Sequence, residues 1–200
     1  MKRHVAILVF DEVEVLDFAG PFEVFAVTDE LRGYHTFNTY TVAELPGTVR
    51  ARNGLKIMPA YTLETAPAPH LLVVPGGAGT RALLKKPSVL DWVRQRAAGA
   101  EHIVSVCTGS LVLGAAGLLD GLPATTHYEN FAELRHIAPR AEVVQDRRFL
   151  DNGKVLTSAG IAAGIDVSLH LVAKLLGVET AQATARYMEY HWRNDAGQTR

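Results

Sequence analysis

Four short runs rich in Val, Ile and Leu constrain the fold of this chain most, and three of them end at a turn of small residues. They occupy residues 5–10, 70–74, 102–106 and 154–158. A run of apolar residues without a two-residue alternation indicates a strand that is covered on both faces. Segments with helical periodicity separate the runs, and such an alternation forms a mostly parallel sheet with helices on both faces. The sequence therefore predicts an α/β fold.

The segments between these runs predict the other elements. A helix is expected to open at Asp17, with Asp17 as its N-cap and Pro21 in its first turn. The Asn53-Gly54 pair predicts a hairpin, and hence a small antiparallel excursion. Further helices are predicted at 80–85, 88–98, 130–137, 160–176 and 178–192, and further strands at 37–43, 55–60, 125–128 and 141–144. Because neither a linker nor a repeat interrupts the pattern, residues 1–200 are predicted to form a single domain.

The composition excludes several classes of protein. Hydrophobic residues make up 48% of the chain and charged residues 20%, which is typical of a globular domain. Lys and Arg number 20 against 21 acidic residues, without a basic block, so we expect neither a nucleic-acid partner nor a membrane partner. The apolar segment near the N-terminus is too short for a signal peptide. The single cysteine suits a reducing compartment, so a cytoplasmic location is expected.

That single cysteine lies at the junction between a predicted strand and a predicted helix. Cys107 follows the run 102–106 and precedes Thr108-Gly109, so the chain turns sharply and directs the thiol out of the sheet. A helix N-terminus favours thiolate over thiol. A lone cysteine is more often a small buried hydrophobic residue. Because Gly109 leaves room for a ligand and residues 75–77 end another strand at the same edge, we interpret Cys107 as a nucleophile.

A nucleophile also needs a proton source and donors for developing negative charge. Asp17 is the candidate acid, because an apolar setting such as Leu16 and Phe18 raises the pKa of a carboxyl group. A role as a helix N-cap alone stays open for Asp17. The backbone N–H groups of Thr108 and Gly77 are the candidate oxyanion donors. All these residues follow the carboxyl ends of strands, where parallel sheets bind their ligands.

The remaining polar residues predict neither a metal nor a cofactor. Asp166 and His170 share a helix face but lack a third ligand, and Asp166 is interpreted as a structural or capping carboxylate. The glycines at 76–79 are not followed by the Lys-Ser/Thr pair of a phosphate loop. His127 is interpreted as a surface or packing residue. The expected partner is therefore a small-molecule substrate.

An ordered set of motifs along the chain resembles the ThiJ/PfpI superfamily. The motifs lie at residues 16–25, 74–77, 106–109, 117–121, 124–127 and 157–166. The superfamily shares a flavodoxin-like fold with class I glutamine amidotransferase domains. The resemblance implies a flavodoxin-like three-layer sandwich and a homodimer.

Three residues narrow the resemblance to one branch. Thr108 stands where PfpI-type proteases carry a histidine, which disfavours a protease, and Asp17 stands where the deglycase branch carries a glutamate. Asp17 together with Cys107-Thr108 is similar to the isonitrile hydratase branch. The resemblance implies that Cys107 attacks the terminal isonitrile carbon, that Asp17 assists proton transfer and that Thr108 helps to form the site. The product would be an N-substituted formamide.

Three other functions fit the same residues. A stress or redox protein would oxidise Cys107 reversibly to a sulfenic acid. A glyoxalase or deglycase would use the thiol on small aldehydes. A ligand-sensing domain would belong to a regulator of the araC type, whose helix-turn-helix module we do not expect in a chain that ends at Arg200. Products formed from isonitriles, methylglyoxal or peroxide discriminate among these functions.

Overall fold

A computed structural model describes residues 2–192 of the chain. The strands are β1 Arg3–Leu8, β2 Phe37–Ala43, β3 Val49–Arg50, β4 Lys56–Ile57, β5 Tyr61–Thr62, β6 Leu71–Val74, β7 His102–Val106, β8 Pro123–Ala124, β9 Glu142–Val143, β10 Phe149–Asp151 and β11 Val155–Ser158. The helices are α1 Val15–Leu31, α2 Thr80–Leu83, α3 Pro87–Gly99, α4 Gly109–Ala115, α5 Phe131–Ile137, α6 Ala163–Leu176 and α7 Val178–Tyr187. Strands and helices alternate as the apolar runs predict.

A seven-stranded sheet in the order β10-β11-β7-β6-β1-β2-β5 forms the centre. All its pairs are parallel except β10 with β11. Helices α1, α6 and α7 contact one another and form one outer layer, while α2, α3 and α5 are joined through α4 in the other. This arrangement is the predicted flavodoxin-like α/β sandwich.

The middle strands owe their position to continuous burial. Residues 5–8 of β1 are at most 1% exposed, and all four residues of β6 are fully buried. Burying one large aliphatic side chain contributes about 1.5–3 kcal/mol, so apolar strands of this kind are stable only between two helical layers. The register of β6 pairs Ile7 with Val73 on one side and Val74 with Ser105 on the other. It therefore brings the ends of β1, β6 and β7 to one edge of the sheet.

Several local predictions are corrected by the structure. Residues 125–128 do not form a strand; the short strand of that region is β8, which pairs with β9. The predicted strand 55–60 is reduced to β4, although it forms the expected hairpin with β3 around Asn53 and Gly54, whose φ angles are 60° and 88°. Strand β10 was not predicted, because a three-residue edge strand of mixed polarity has no distinctive pattern. Within residues 2–192, no helix is long and apolar enough to cross a membrane.

Candidate active site

Cys107 occupies a strained turn between β7 and α4. Its φ angle is 54°, a left-handed conformation that is uncommon for a residue with a side chain. Four hydrogen bonds hold the turn: the Cys107 N–H lies near the carbonyls of Ser158 and Ala159, at 3.2 and 3.1 Å, and the Cys107 carbonyl accepts from the hydroxyls of Thr126 and Ser110, at 2.9 and 3.1 Å. Such support is what a strained conformation requires in order to persist.

Glycine is required at position 109, two residues after Cys107. A Cβ atom on Gly109 would lie 1.9 Å from the carbonyl oxygen of Val74, at the end of β6. The close approach of α4 to β6 brings the thiol of Cys107 next to the turn at Gly76. The structure has the predicted turn at Cys107. Gly109 is needed there for close packing, and it does not leave space for a ligand, contrary to the prediction from the sequence.

Asp17 lies in the first turn of α1, and its side chain points into the protein. The N-cap position is Glu14, so the alternative role of Asp17 as an N-cap is wrong, and Pro21 lies inside the helix beyond its first turn. The fully buried Asp17 accepts a hydrogen bond through Oδ2 from the Gly76 N–H at 2.9 Å. Its other oxygen, Oδ1, makes no hydrogen bond of normal geometry to the described part of the chain.

This environment brings the protonation of Asp17 close to neutrality. Burial, together with the charge of Glu14, raises the pKa of the Asp17 carboxyl to about 7, against the Gly76 N–H, the Cys107 thiol and the Ile161 N–H, which lower it. A carboxyl group with such a pKa accepts and releases protons readily at physiological pH. Asp17 therefore has the acid–base character that the sequence predicts.

The Cys107 thiol retains its proton at neutral pH. Burial, together with the charge of Asp17, raises the pKa of Cys107 to about 12. The Thr108 and Ile161 N–H groups and the Thr108 hydroxyl oppose this rise. The prediction that the helix N-terminus favours the thiolate is wrong here, because burial outweighs the dipole of a seven-residue helix. Asp17, with a pKa of about 7, is ionised in about half of the molecules at pH 7, and sulfur becomes nucleophilic when it gives its proton to the ionised carboxylate.

The Gly77 amide is not a free oxyanion donor. The Gly77 N–H donates to Thr108 Oγ1 at 2.9 Å, and the Gly77 carbonyl accepts from Thr80 Oγ1 at 2.8 Å. Of the two predicted donors, only the Thr108 N–H is directed at the sulfur, where it lowers the pKa of Cys107. The structure thus brings Cys107, Asp17, Thr108 and Gly77 together. The Gly77 N–H, however, is bonded to Thr108 and is not free to stabilise an oxyanion as predicted.

Ile161 is a site residue that the sequence reasoning missed. Its φ angle is 52°, which is unusual for a β-branched residue, and its N–H lowers the pKa of both Asp17 and Cys107. Gly160 precedes it and packs under the His127 ring, where a Cβ atom would lie 2.2 Å from Cδ2. No pattern in the sequence predicts a left-handed backbone conformation for this isoleucine. The loop after β11 therefore contributes a third backbone N–H to the site.

A cavity of about 230 Å³ opens above the thiol. Besides Cys107 and Thr108, its walls include the charged or polar side chains of Glu14, Arg52, Arg81, His127, Glu129 and Asn130. Arg52 pairs with Glu14 at 3.1 Å, and Arg81 forms a two-pronged ion pair with Glu133. His127 packs on Gly160, as a packing residue does, and its ring also forms part of this wall. The space above Cys107 is small and polar.

The acidic residues away from the cavity have structural partners. Asp166 contacts the Arg148 guanidinium and accepts hydrogen bonds from Tyr190 Oη at 3.0 and 3.1 Å. His170 pairs with Asp151 at 2.8 Å. Between residues 2 and 192, no group of three His, Cys, Asp or Glu side chains has an arrangement that could hold a metal ion.

Comparison with known proteins matches residues 3–174 to the DJ-1/PfpI family. The chain belongs to this family. It is 39% identical over 190 residues to isonitrile hydratase from Pseudomonas putida, which covers 95% of this chain and 79% of that protein. It is 28% identical to the HTH-type transcriptional regulator GbdR from Pseudomonas aeruginosa, which covers 94% of this chain but 51% of the regulator.

Solved structures agree with the fold. A ThiJ/PfpI family protein from Pseudomonas syringae has a TM-score of 0.86 and 32% identity, and the match covers 96% of this chain and 77% of that one. DJ-1beta from Drosophila melanogaster has a TM-score of 0.84, covers 96% of this chain and 100% of that one, and is 20% identical, so it supports the fold alone. The relatives include both an enzyme and transcriptional regulators.

Proposed function

We propose that this DJ-1/PfpI protein is a cysteine-dependent hydratase that converts an isonitrile to an N-substituted formamide. The observation that carries the proposal is the buried pair of Asp17 and Cys107. Its carboxyl group has a pKa of about 7, and its Oδ1 has no hydrogen bond of normal geometry within residues 2–192. A base next to a protonated thiol supplies proton transfer without a histidine. The 39% identity to isonitrile hydratase supports the substrate class.

The first half-reaction adds the thiol across the terminal isonitrile carbon. The Asp17 carboxylate takes the Cys107 proton as sulfur forms a bond to that carbon, and protonated Asp17 then gives the proton to the same carbon. The carbon–hydrogen bond forms with the lone pair of the terminal carbon, and one carbon–nitrogen π pair becomes the lone pair of nitrogen, which leaves a thioimidate on Cys107. Asp17 is ionised again at the end of this step.

The second half-reaction hydrates the thioimidate. Asp17 removes a proton from water as the hydroxyl group adds to the thioimidate carbon, and it passes this proton to nitrogen. The carbon–sulfur bond then breaks as the carbonyl forms, and the hydroxyl proton goes to sulfur through Asp17. The sum is one isonitrile plus one water giving one formamide, with both residues returned to their starting states.

The cavity indicates what kind of substrate it can take. Its volume is about 230 Å³ and it is open to solvent, so a small isonitrile can enter it and place its terminal carbon at Cys107, which forms part of the wall. The charged residues of the wall favour a substituent that carries polar groups.

The test is formamide production from a panel of isonitriles, followed by NMR. The wild-type protein is expected to turn over at least one small isonitrile, and Cys107→Ala to be at least about a thousandfold slower. Thermal melting of the variant controls for folding. Full turnover by a folded Cys107→Ala protein would contradict the mechanism, and no turnover of the panel by the wild type would contradict the function.

A ligand-sensing role is the second candidate. The 28% identity to GbdR, which this chain matches over about half of the regulator, favours it. Saturable binding of a small molecule without turnover, measured by calorimetry, would support this role over catalysis. Against a redox role, the high pKa of Cys107 disfavours the thiolate that peroxide attacks. The homodimer and the cytoplasmic location stay predictions.

A further inference from the structure

We propose that the Thr108 hydroxyl selects the type of reaction at Cys107, because it occupies the Gly77 amide and so disfavours reactions that pass through an oxyanion. The inference deepens the proposed function, and it rests on that function for the statement that isonitrile hydration is the favoured reaction. It concerns the Thr108 side chain, whereas the Thr108 N–H remains directed at the sulfur.

The hydroxyl is fixed in this position by its surroundings. Thr108 is 3% exposed, and Oγ1 accepts the Gly77 N–H at 2.9 Å while lying 3.2 Å from the Gly77 carbonyl oxygen. A Cβ atom on Gly76 would lie 2.7 Å from the same hydroxyl oxygen, so the side chain fills the space beside the turn completely. Thr108 Oγ1 is therefore packed against residues 76–77 and has little freedom to leave the amide.

The peptide group that joins Gly76 to Gly77 is held at its carbonyl as well as at its N–H. Its carbonyl, that of Gly76, accepts a hydrogen bond from the Glu14 N–H at 2.9 Å, and the Gly77 carbonyl on the next peptide group accepts one from Thr80 Oγ1 at 2.8 Å. The φ angle of Gly77 is 127°, and a Cβ atom there would lie 2.3 Å from the Glu12 carbonyl oxygen. Both ends of residue 77 are held, so the amide stays with Thr108.

This contact distinguishes two kinds of substrate. When a thiol attacks an ester or an aldehyde, the negative charge develops on oxygen, and a pair of N–H donors normally stabilises it. Here the Thr108 N–H is available but the Gly77 N–H is not. When the thiol attacks an isonitrile, the charge develops on carbon, where Asp17 delivers a proton. Isonitrile hydration therefore does not need the donor that Thr108 Oγ1 occupies.

The test removes the hydroxyl and measures a reaction that forms an oxyanion. Thr108→Ala removes Oγ1 together with the methyl group, so the Gly77 N–H loses its acceptor and no side-chain atom takes the place of Oγ1. With p-nitrophenyl acetate, Asp17 takes the thiol proton as the sulfur–carbon bond forms, the ester carbon–oxygen bond breaks and p-nitrophenolate leaves; water then hydrolyses the acyl-enzyme to acetate, and sulfur recovers its proton. We expect kcat/KM for this ester to rise by about tenfold or more, since one oxyanion donor is worth a factor of that order or larger.

Two variants serve as controls for the ester assay. Thr108→Ser keeps the hydroxyl and lacks only the methyl group, so ester turnover is expected to rise less than in Thr108→Ala. Thr28→Val removes a buried hydroxyl that donates to the Val24 carbonyl at 2.7 Å and lies 2.9 Å from Thr184 Oγ1 in another part of the molecule. Ester turnover is expected to be unchanged by it. A folded Thr108→Ala protein without a gain would overturn the inference.

Hydrogen exchange tests the contact without any variant. In the wild type, the Gly77 amide is expected to be protected, because its N–H is bonded and buried. Fast exchange of this amide would overturn the inference even if Thr108→Ala did not fold. Wild-type isonitrile turnover is measured in parallel. Its absence would remove the proposed function, whereas an ester gain in Thr108→Ala would still support the role of the hydroxyl.

Discussion

Helix α1 carries two buried aspartates, one near each end, and their environments are opposite. Asp29 accepts hydrogen bonds from the N–H groups of Thr36 at 2.7 Å and Phe37 at 2.9 Å, and from Lys2 Nζ at 3.0 Å. Burial raises its pKa, but these three donors outweigh burial, so the pKa of Asp29 lies below its usual value. Asp17 accepts one bond of this kind, from Gly76, and its pKa is about 7.

The comparison shows that the balance between burial and compensating partners decides the pKa of a buried carboxyl group. Burial is the largest effect at both residues, but at the less deeply buried Asp29 two N–H groups and the Lys2 ammonium outweigh it, whereas Asp17 is fully buried and has no cation beside it in the described part of the chain. Asp29 closes the connection from α1 to β2, and its charge is fully compensated. Asp17 has one oxygen with no hydrogen bond of normal geometry among the described residues, and that oxygen is left for a thiol or a substrate. A carboxyl group that is under-bonded in this way is destabilising to the fold and useful for proton transfer.

The largest expected effect is on catalysis, where only Asp17 should matter. Asp17→Asn keeps an oxygen for the Gly76 N–H but cannot accept the thiol proton, so kcat/KM for isonitrile hydration is expected to fall by about 10²- to 10⁴-fold. The measurement is formamide formation at pH 7. Asp29→Asn is the matched control on the same helix and is expected to remain active. Retention of more than a tenth of the activity by Asp17→Asn would remove the distinction between the two residues.

The next effect is on stability, where Asp29 should matter. Asp29→Asn loses the charge that three donors stabilise, and the free energy of unfolding is expected to fall by about 2 kcal/mol at pH 7. Because the folded pKa of Asp29 is lowered, its contribution is present above the unfolded pKa and is lost as pH falls through the folded pKa. Urea unfolding at pH 7 and at pH 3 measures this. An equal loss at both pH values would contradict the assignment.

Asp17→Asn should have the opposite effect on stability. The pKa of Asp17 is raised, so the wild type loses stability relative to the variant as pH rises from the unfolded pKa near 4 to about 7. We expect the variant to be more stable by roughly 1–2 kcal/mol at pH 8, and this advantage to disappear and then reverse as pH falls toward 4. The full shift would give more, but the Asn amide N–H group lacks a good acceptor. Urea unfolding of both proteins across this range is the measurement.

The smallest effect concerns the charge next to Asp17. Glu14→Gln removes a charge that raises the pKa of Asp17, so the acidic limb of the kcat/KM profile is expected to move to lower pH by roughly 0.3. Glu101→Gln, which loses the ion pair with Arg3 elsewhere on the molecule, is the control and should leave the limb unchanged. A movement to higher pH in Glu14→Gln would show that Asp17 does not act as the base.

The sequence predicts the positions of the main strands because their apolar runs are buried on both faces, and burial is the strongest local signal. It also brings Asp17, Gly77 and Cys107 to one edge, since the carboxyl ends of parallel strands share an edge. It fails where a tertiary contact decides the outcome. The sequence does not predict that the Gly77 N–H is bonded, because its partner, the Thr108 hydroxyl, belongs to a different turn of the chain.

The remaining failures have similar physical causes. The protonated thiol of Cys107 follows from the depth of burial, which a strand–helix junction does not specify. The left-handed Ile161 follows from packing of the neighbouring Gly160 against His127, and isoleucine has no preference for that conformation. Strand β10 forms because its backbone pairs in an antiparallel manner with β11, which is otherwise the edge of the sheet. Each of these features depends on residues far apart in the chain.

The thiol of Cys107 is the single cysteine of the 200 residues. A reagent that alkylates thiols can therefore add only once to this chain, and the mass of the intact chain reports directly what fraction of the sites is occupied. An oxidised Cys107 also has no second thiol in the chain with which to form a disulfide. Its return to the thiol state depends on a reductant, such as glutathione, that comes from outside the chain.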